Sequence, residues 1–272
     1  MRTLAVVVTY YPEKELLQRN VSSYMDIVEK VLIWENTPEA DAMSRRYIQN
    51  GKIEYVGNRK NDGIAKALNY AWKYAKANGY DVLLTMDQDS VLENFDAYYN
   101  KAKQILSYER CIVGPIVNEK PEDFDCEVVK MPYIITSGML IPIGVLDILG
   151  GYNETFFVDA IDLDICIRSI EHGIPVYKLV YGQMVQQYGN GEDKCIFGKR
   201  VHGYNYSLFR YEGIFRNHII LYRLHRDNVE LKNKIKHYYK SYLKGIILVE
   251  KNKLSKLKAI AKGTYKGLTY KI

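Results

Sequence analysis

Two acidic clusters in this 272-residue chain have the residue types and spacing for chemistry. Asp87-Gln88-Asp89 sets two carboxylates one residue apart, directly after the apolar run Asp81–Met86. On a turn, both can face one hard cation, and Mg²⁺ or Mn²⁺ bridging a diphosphate takes such oxygen ligands. A solvated acidic turn is the plainer reading of an arbitrary D-x-D, but the end of a parallel-type strand favours the functional one. The second cluster is Asp159-Ala160-Ile161-Asp162-Leu163-Asp164, which opens a helical stretch running to Arg168. Carboxylates at a helix start are favoured by its dipole, so capping accounts for one of them. Three behind Phe156-Phe157 exceed what one cap needs. A carboxylate beside a sugar hydroxyl can take its proton as general base.

Two basic segments complement these clusters. Asn58-Arg59-Lys60-Asn61-Asp62-Gly63 leads straight into a helix, where free backbone N–H groups beside Lys and Arg can receive an anionic or nucleotide group. An N-capped surface loop is its plainer reading. Arg210 and Arg216 lie in an aromatic-rich helical stretch and can clamp phosphate through two parallel hydrogen bonds, with a charged outer face as the alternative. His218 reads as structural. Neither a Ser-His-Asp order nor H-E-x-x-H occurs, and the four Cys have no C-x-x-C spacing, which suits reduced thiols in the cytoplasm.

The elements that must position these residues alternate. Leu4–Thr9, Lys30–Trp34 and Asp81–Met86 read as strands buried on both faces and Ile53–Val56 as a short strand, with Lys14–Tyr24 and Ile64–Ala77 as helices between them. That alternation predicts βαβ units on a parallel sheet, with ligands beyond the carboxyl ends of the strands. Thr9–Tyr11, Glu35-Asn36, Asn58–Asp62 and Asp87–Ser90 all follow strands and are site candidates on that rule. Further on, Cys111–Val117, Ile134–Ile141 and Pro175–Val180 read as strands, and Ile143–Leu149 and Ile161–Glu171 as helices. Tyr181–His202 reads as a mobile loop, and helices resume over Tyr204–Leu224 and through the tail.

The composition, 47% hydrophobic and 26% charged, is that of a globular α/β protein and excludes a disulfide scaffold or a disordered chain. The N-terminus reads as a strand, not a signal peptide, and no run has the length of a membrane span. The net charge of +6 is unevenly spread. Residues 223–272 carry 14 Lys and Arg against 3 Asp and Glu, a charge of +11, while residues 1–222 carry 24 against 29, a charge of −5.

Taken in order, these segments resemble the inverting family-2 glycosyltransferases, and most closely their rhamnosyltransferase-like branch. The resemblance spans roughly residues 3–220. It rests on Val8-Thr9-Tyr10-Tyr11-Pro12, Trp34-Glu35-Asn36, Asn58, the run Asn61 to Asn69, and Asp87-Gln88-Asp89-Ser90. It continues through Ser137-Gly138, Gly150 to Glu154, Phe156 to Asp159, Asp162-Leu163-Asp164 with Cys166 and Arg168, and Arg216-Asn217. It implies an α/β fold of GT-A type: a Rossmann-like nucleotide-binding half with a mixed central sheet, in a domain over 1–222, plus a helical extension over 223–272.

The resemblance also implies transfer of a sugar from a nucleoside-diphosphate donor, here dTDP-rhamnose, to a glycan or lipid-linked acceptor in bacterial cell-surface polysaccharide synthesis. Asp89 and Asp87 then hold Mg²⁺ or Mn²⁺. Asp162 serves as general base, with Asp159 as second candidate. Thr9, Tyr11, Glu35 and Asp62 match positions that hold nucleobase and ribose, and Lys66 and Arg216 match diphosphate contacts. Two departures stand out. Gln186-Gln187-Tyr188-Gly189 replaces a frequent His before a Gly, and Glu212-Gly213 replaces a tyrosine pair ahead of Arg-Asn. They motivate the alternative of a non-catalytic nucleotide-sugar-binding or scaffold subunit. A sugar-phosphate nucleotidyltransferase is a further alternative.

The basic tail mixes Lys with Leu, Ile and Tyr. It reads either as an amphipathic surface for an anionic membrane, at the inner face of the plasma membrane, or as a packed tail with a solvated Lys face. Nucleic acid is not expected, because the acidic body repels phosphate.

Overall fold

The computed structural model describes residues 1–185, 191–196 and 198–272. In chain order, β1 (Thr3–Thr9), α1 (Lys14–Ser22), β2 (Lys30–Glu35), α2 (Glu39–Ala42), β3 (Ile53–Val56), α3 (Ile64–Ala77) and β4 (Val82–Asp87) form the first half. Then come β5 (Val91–Glu93), α4 (Phe95–Leu106), β6 (Ile112–Val117), β7 (Val128–Lys130), β8 (Met139–Pro142), α5 (Ile143–Leu149), α6 (Ile161–Glu171) and β9 (Val176–Val185). The chain closes with β10 (Glu192–Ile196), β11 (Lys199–Gly203), α7 (Leu208–Leu224), α8 (Val229–Leu248) and α9 (Lys253–Thr269).

Two compact units emerge. The first holds Met1–Phe157 and the segment from Ile161 through β9; the second holds Val158–Ala160 and the chain from β10 to Ile272. The sheet of the first unit runs β3-β2-β1-β4-β8-β6-β9-β5, with β7 on β9. β3, β2, β1 and β4 are parallel, and the apolar runs of β1, β2 and β4 are those of strands covered on both faces, while β3 is a half-buried edge. β8 enters antiparallel between β4 and β6, making the sheet mixed. Leu4 to Val7 and Leu83-Leu84 are wholly enclosed, and Leu17, Val21 and Tyr24 of the α1 region pack into the same core.

The structure corrects two expectations. Of Ile134–Ile141 only the end is a strand: Thr136 to Gly138 form a turn whose Thr136 carbonyl accepts from the Thr85 hydroxyl, so the ladder begins at Met139. The stretch Tyr181–His202 is not a loop throughout. β9 continues to Val185, and β10 and β11 form an antiparallel hairpin. Its polar cross-strand pairs hid it: Asp193 takes hydrogen bonds from Arg200 and His202, which hold its carboxyl down at about 2.

The second unit is built on α7. Ser207 caps it by accepting from the Arg210 amide, and Tyr211, Ile214 and Phe215 form a core with Ile246, Ala259 and Ile260. α9 crosses α7 so closely that a Cβ on Gly263 would lie 2.2 Å from the Glu212 carbonyl. At the α8–α9 corner, buried Glu250 accepts from Lys256, Tyr211 and the Tyr204 amide.

His218 in this core is buried and stacks on Tyr238 at 5.5 Å. Burial, with Lys234 nearby, pushes its imidazole down from 6.5 to about 4. Between these values the unfolded chain binds a proton that the folded chain does not. The stability involved is therefore complete above pH 6.5 and is lost as the pH falls towards 4. Acidification from about pH 7 to about pH 5 should cost the wild type roughly 2 kcal/mol through this group in urea unfolding. His218→Gln should not show that increment. Equal losses in both proteins would refute the assignment.

Candidate active site

The first unit places its candidate residues along the carboxyl ends of β1, β2 and β4. Thr9 pairs in register with Glu35, and Val8 with Asp87, so the three strand ends form one edge. Thr9 is buried and donates its hydroxyl to the Trp34 carbonyl at 3.0 Å. Tyr11 follows in a left-handed conformation (φ +46°). Its amide donates to Thr37, its hydroxyl donates to Asp41 at 3.1 Å, and Arg45 covers its ring. Such a backbone is uncommon for an aromatic residue and marks a constrained position.

The Asp87-Gln88-Asp89 turn is tied from three sides. The Asp87 amide donates to Ser137 Oγ at 3.0 Å, and its carbonyl accepts from Asn20 Nδ2 at 2.7 Å. The same Asn20 amide donates to the Ser90 carbonyl, while Tyr24 donates its hydroxyl to Asn20 Oδ1. Gln88 spans the gap to β1, accepting from the Tyr10 amide at 2.7 Å and donating to the Tyr10 carbonyl at 3.1 Å. Asp87 is half-buried and Asp89 exposed. Among the described residues no three His, Cys, Asp or Glu side chains converge as a metal site. Two carboxylates still fit a Mg²⁺ or Mn²⁺ ion whose remaining oxygens come from a substrate diphosphate and water.

Glu35 is buried, and both its oxygens accept from Arg46, at 2.9 and 2.6 Å. Asn36 Oδ1 accepts from the Trp34 indole and the Asp62 amide, and its Nδ2 donates to the Gly63 carbonyl, locking the loop before α3. Partial burial opposes ionisation of Asp62, but Asn58 at 2.7 Å and Lys66 at 3.1 Å hold its carboxyl below the ordinary range. Lys66, Asn58, Trp34, Tyr70, Lys73 and Glu154 border a cleft of about 660 Å³.

Two glycines show why the segments after β3 and α5 read as motifs. Gly63 has φ +83°, and a Cβ there would sit 2.6 Å from the Phe157 ring, whose carbonyl takes the Ile64 amide. Gly151 has φ +81°, and its Cβ would meet Trp72 at 2.5 Å and Asn69 at 2.6 Å. Only glycine permits both approaches.

The acidic cluster divides among tasks. Asp164 is buried against Arg168 at 2.7 Å, and Arg168 also donates to the Leu149 and Gly151 carbonyls, so this pair fastens α6 to the Gly150-Gly151 corner. Asp162 lies half-buried in the first turn of α6, where Oδ1 accepts from the Leu163 amide. Asp159 belongs to the second unit. It and Ala160 both have positive φ, +61° and +68°, and Asn217 ties the bend by donating to the Val158 and Asp159 carbonyls. Burial raises the Asp159 carboxyl above the usual range, opposed by Arg210 at 3.2 Å. Arg216 donates to Asn217 and lies over Tyr270. Glu212, where the resemblance has a tyrosine pair, accepts from Lys262 and Lys266 of α9. Gln186 to Gly189 lie outside the described residues. Residue types alone did not single out Asn20, Arg46 or the clamping role of Gln88, whose partners are remote or outside any motif.

Solved structures share this architecture. A mannosyltransferase from Pyrobaculum calidifontis, in complex with GDP-Man and Mn²⁺, matches with TM-score 0.62 at 15% identity, covering 100% of this chain and 76% of that one. GalNAc-T7 with UDP, GalNAc and Mn²⁺ matches with TM-score 0.60 at 12% identity over 82% of this chain; the chain spans 47% of that protein. The fold is thus of GT-A type. Residues 5–139 match the model of glycosyl transferase family 2, so the chain carries a glycosyltransferase domain of that kind. It is also 25% identical to the dTDP-rhamnosyl transferase RfbF of Shigella flexneri over 97% of its own length and 94% of that protein.

The ties around the turn differ in burial, and their removal should differ in cost. Asn20→Ala leaves two enclosed carbonyls without their donor and should cost about 2–4 kcal/mol in urea unfolding. Gln88→Ala, whose contacts are exposed, should cost less than about 1 kcal/mol. Similar costs for the two would contradict the buried tie.

Proposed function

We propose that this chain transfers rhamnose from dTDP-rhamnose to a hydroxyl of a glycan or lipid-linked acceptor, with inversion at the anomeric carbon. Its place would be the assembly of a bacterial cell-surface polysaccharide. The observation that carries this reading is the triply tied Asp87-Gln88-Asp89 turn on the edge shared with Thr9 and Glu35. The likeness to a dTDP-rhamnosyl transferase along nearly the whole chain supports the choice of donor.

In this reading Thr9, Tyr11, Glu35 and Asp62 receive nucleobase and ribose. Glu35 keeps lone pairs beyond the two engaged by Arg46, so a ribose hydroxyl can still donate to it. Lys66 and Arg216 meet the diphosphate. Asp87 and Asp89 hold the Mg²⁺ or Mn²⁺ ion, which when bound neutralises charge on the leaving diphosphate. The acceptor oxygen attacks the anomeric carbon opposite the diphosphate. Its proton passes to Asp162, with Asp159 as second candidate, and the bond to the diphosphate breaks with its electron pair leaving on that oxygen. Asp164, paired with Arg168, is not assigned the base role. The extension over 223–272, beyond a catalytic domain over 1–222, brings the enzyme to an anionic membrane where a lipid-linked acceptor resides.

Release of dTDP from dTDP-rhamnose should require Mg²⁺ or Mn²⁺ and an acceptor, and NMR of the product should show the inverted anomer. Asp89→Ala should lower turnover by about 10²–10³-fold and Asp162→Asn by about 10²–10⁴-fold, with folding intact by circular dichroism. Unchanged turnover in either variant would overturn that residue's assignment. Retained configuration would overturn the mechanism.

A further inference from the structure

Two groups of tail lysines differ in their partners. Lys256, Lys262 and Lys266 pair with Glu250 or Glu212 inside the second unit. Lys232, Lys236 and Lys240 are exposed, and none of them has a carboxylate partner among the described residues. Their four-residue spacing puts them on one stripe of α8, where like charges repel. The stripe borders a surface trough of about 400 Å³ between α7 and α8, with Ile219, Tyr222, Ile235 and Tyr239 as its other lining. The lysines offer hydrocarbon stems to the trough and ammonium groups to its rim. An apolar floor with an unneutralised cationic rim matches an amphiphile with an anionic head.

We propose that this trough is the docking site of the chain on an anionic phospholipid surface. The ammonium groups of Lys232, Lys236 and Lys240 meet headgroup phosphates, and Ile219, Tyr222, Ile235 and Tyr239 meet the hydrocarbon just below them. The proposal rests on the membrane attachment read above and gives it a place. Nucleic acid shares the phosphate but not the hydrocarbon, and would leave the apolar floor uncovered.

The full chain should co-sediment with phosphatidylglycerol-containing vesicles and only weakly with pure phosphatidylcholine. The triple variant Lys232→Gln/Lys236→Gln/Lys240→Gln should lose about a hundredfold in partitioning, roughly fivefold per lysine. A control with equal charge loss away from the trough, Lys251→Gln/Lys253→Gln/Lys258→Gln, should lose less than about tenfold. Equal loss in both variants, undiminished binding to phosphatidylcholine, or preference for a single-stranded oligonucleotide over vesicles would each overturn the proposal. With a soluble acceptor and no vesicles, dTDP release by the trough variant should equal that of the wild type. Wild-type turnover failing while vesicle binding persists would remove the reaction and leave the docking site standing.

Discussion

One buried amide, that of Asn20, holds the acidic turn on which the site is built. Two carboxylates one residue apart repel each other, and a surface turn that carries them gains nothing by staying closed. Asn20 supplies what the turn lacks, because its two amide hydrogens satisfy the Asp87 and Ser90 carbonyls from within the core. The Tyr24 hydroxyl occupies the amide oxygen and fixes its orientation. Leu17 and Val21 pack α1 against the sheet and set Asn20 at the right depth. Gln88 then ties the exposed side to Tyr10, so the ends of β1 and β4 are fastened before any ligand arrives. The ordering is completed in folding, which is what a pre-formed binding site requires.

The parallel strands were legible because strands covered on both faces must be apolar throughout, and few other elements produce such runs. Strand ends then pointed to Thr9, Glu35 and Asp87. What stayed hidden depends on partners far along the chain. The Asn20 contacts lie 67 and 70 residues away, and those of Gln88 lie 78 away; no local spacing signals either. The hairpin β10–β11 escaped for another reason. It is held by Asp193, Arg200 and His202 rather than by alternating apolar residues, so its composition is that of a loop. Glu212 stood out only as a departure from a family pattern. Its pairing with Lys262 and Lys266, beside the close crossing at Gly263, makes it a docking residue between α7 and α9.

The same docking separates two meanings of the basic tail. Neutralised lysines and glycine contacts explain how α9 packs, and they need no external partner. The α8 stripe has no such account among the described residues, where Lys232, Lys236 and Lys240 meet no carboxylate while their stems border an apolar surface. Packing accounts for α9, and the proposed surface attachment concerns the trough beside α8.

The acidic cluster that opens α6 shows the same division at the scale of single residues. Asp164 is enclosed and paired with Arg168, an arrangement that fixes a corner. Asp159 sits on two successive left-handed residues, a conformation that costs of order 1–3 kcal/mol per residue and persists only where surroundings enforce it. Asn217 enforces it through two carbonyls, and Arg210 steadies a carboxyl that burial drives towards its protonated form. Strain, burial and a cation converging on one side chain are more than helix capping needs. Asp162, by contrast, stays half-buried at the helix start with one oxygen on the neighbouring amide. Of the three, it is the one to which the proposed mechanism gives the role of general base.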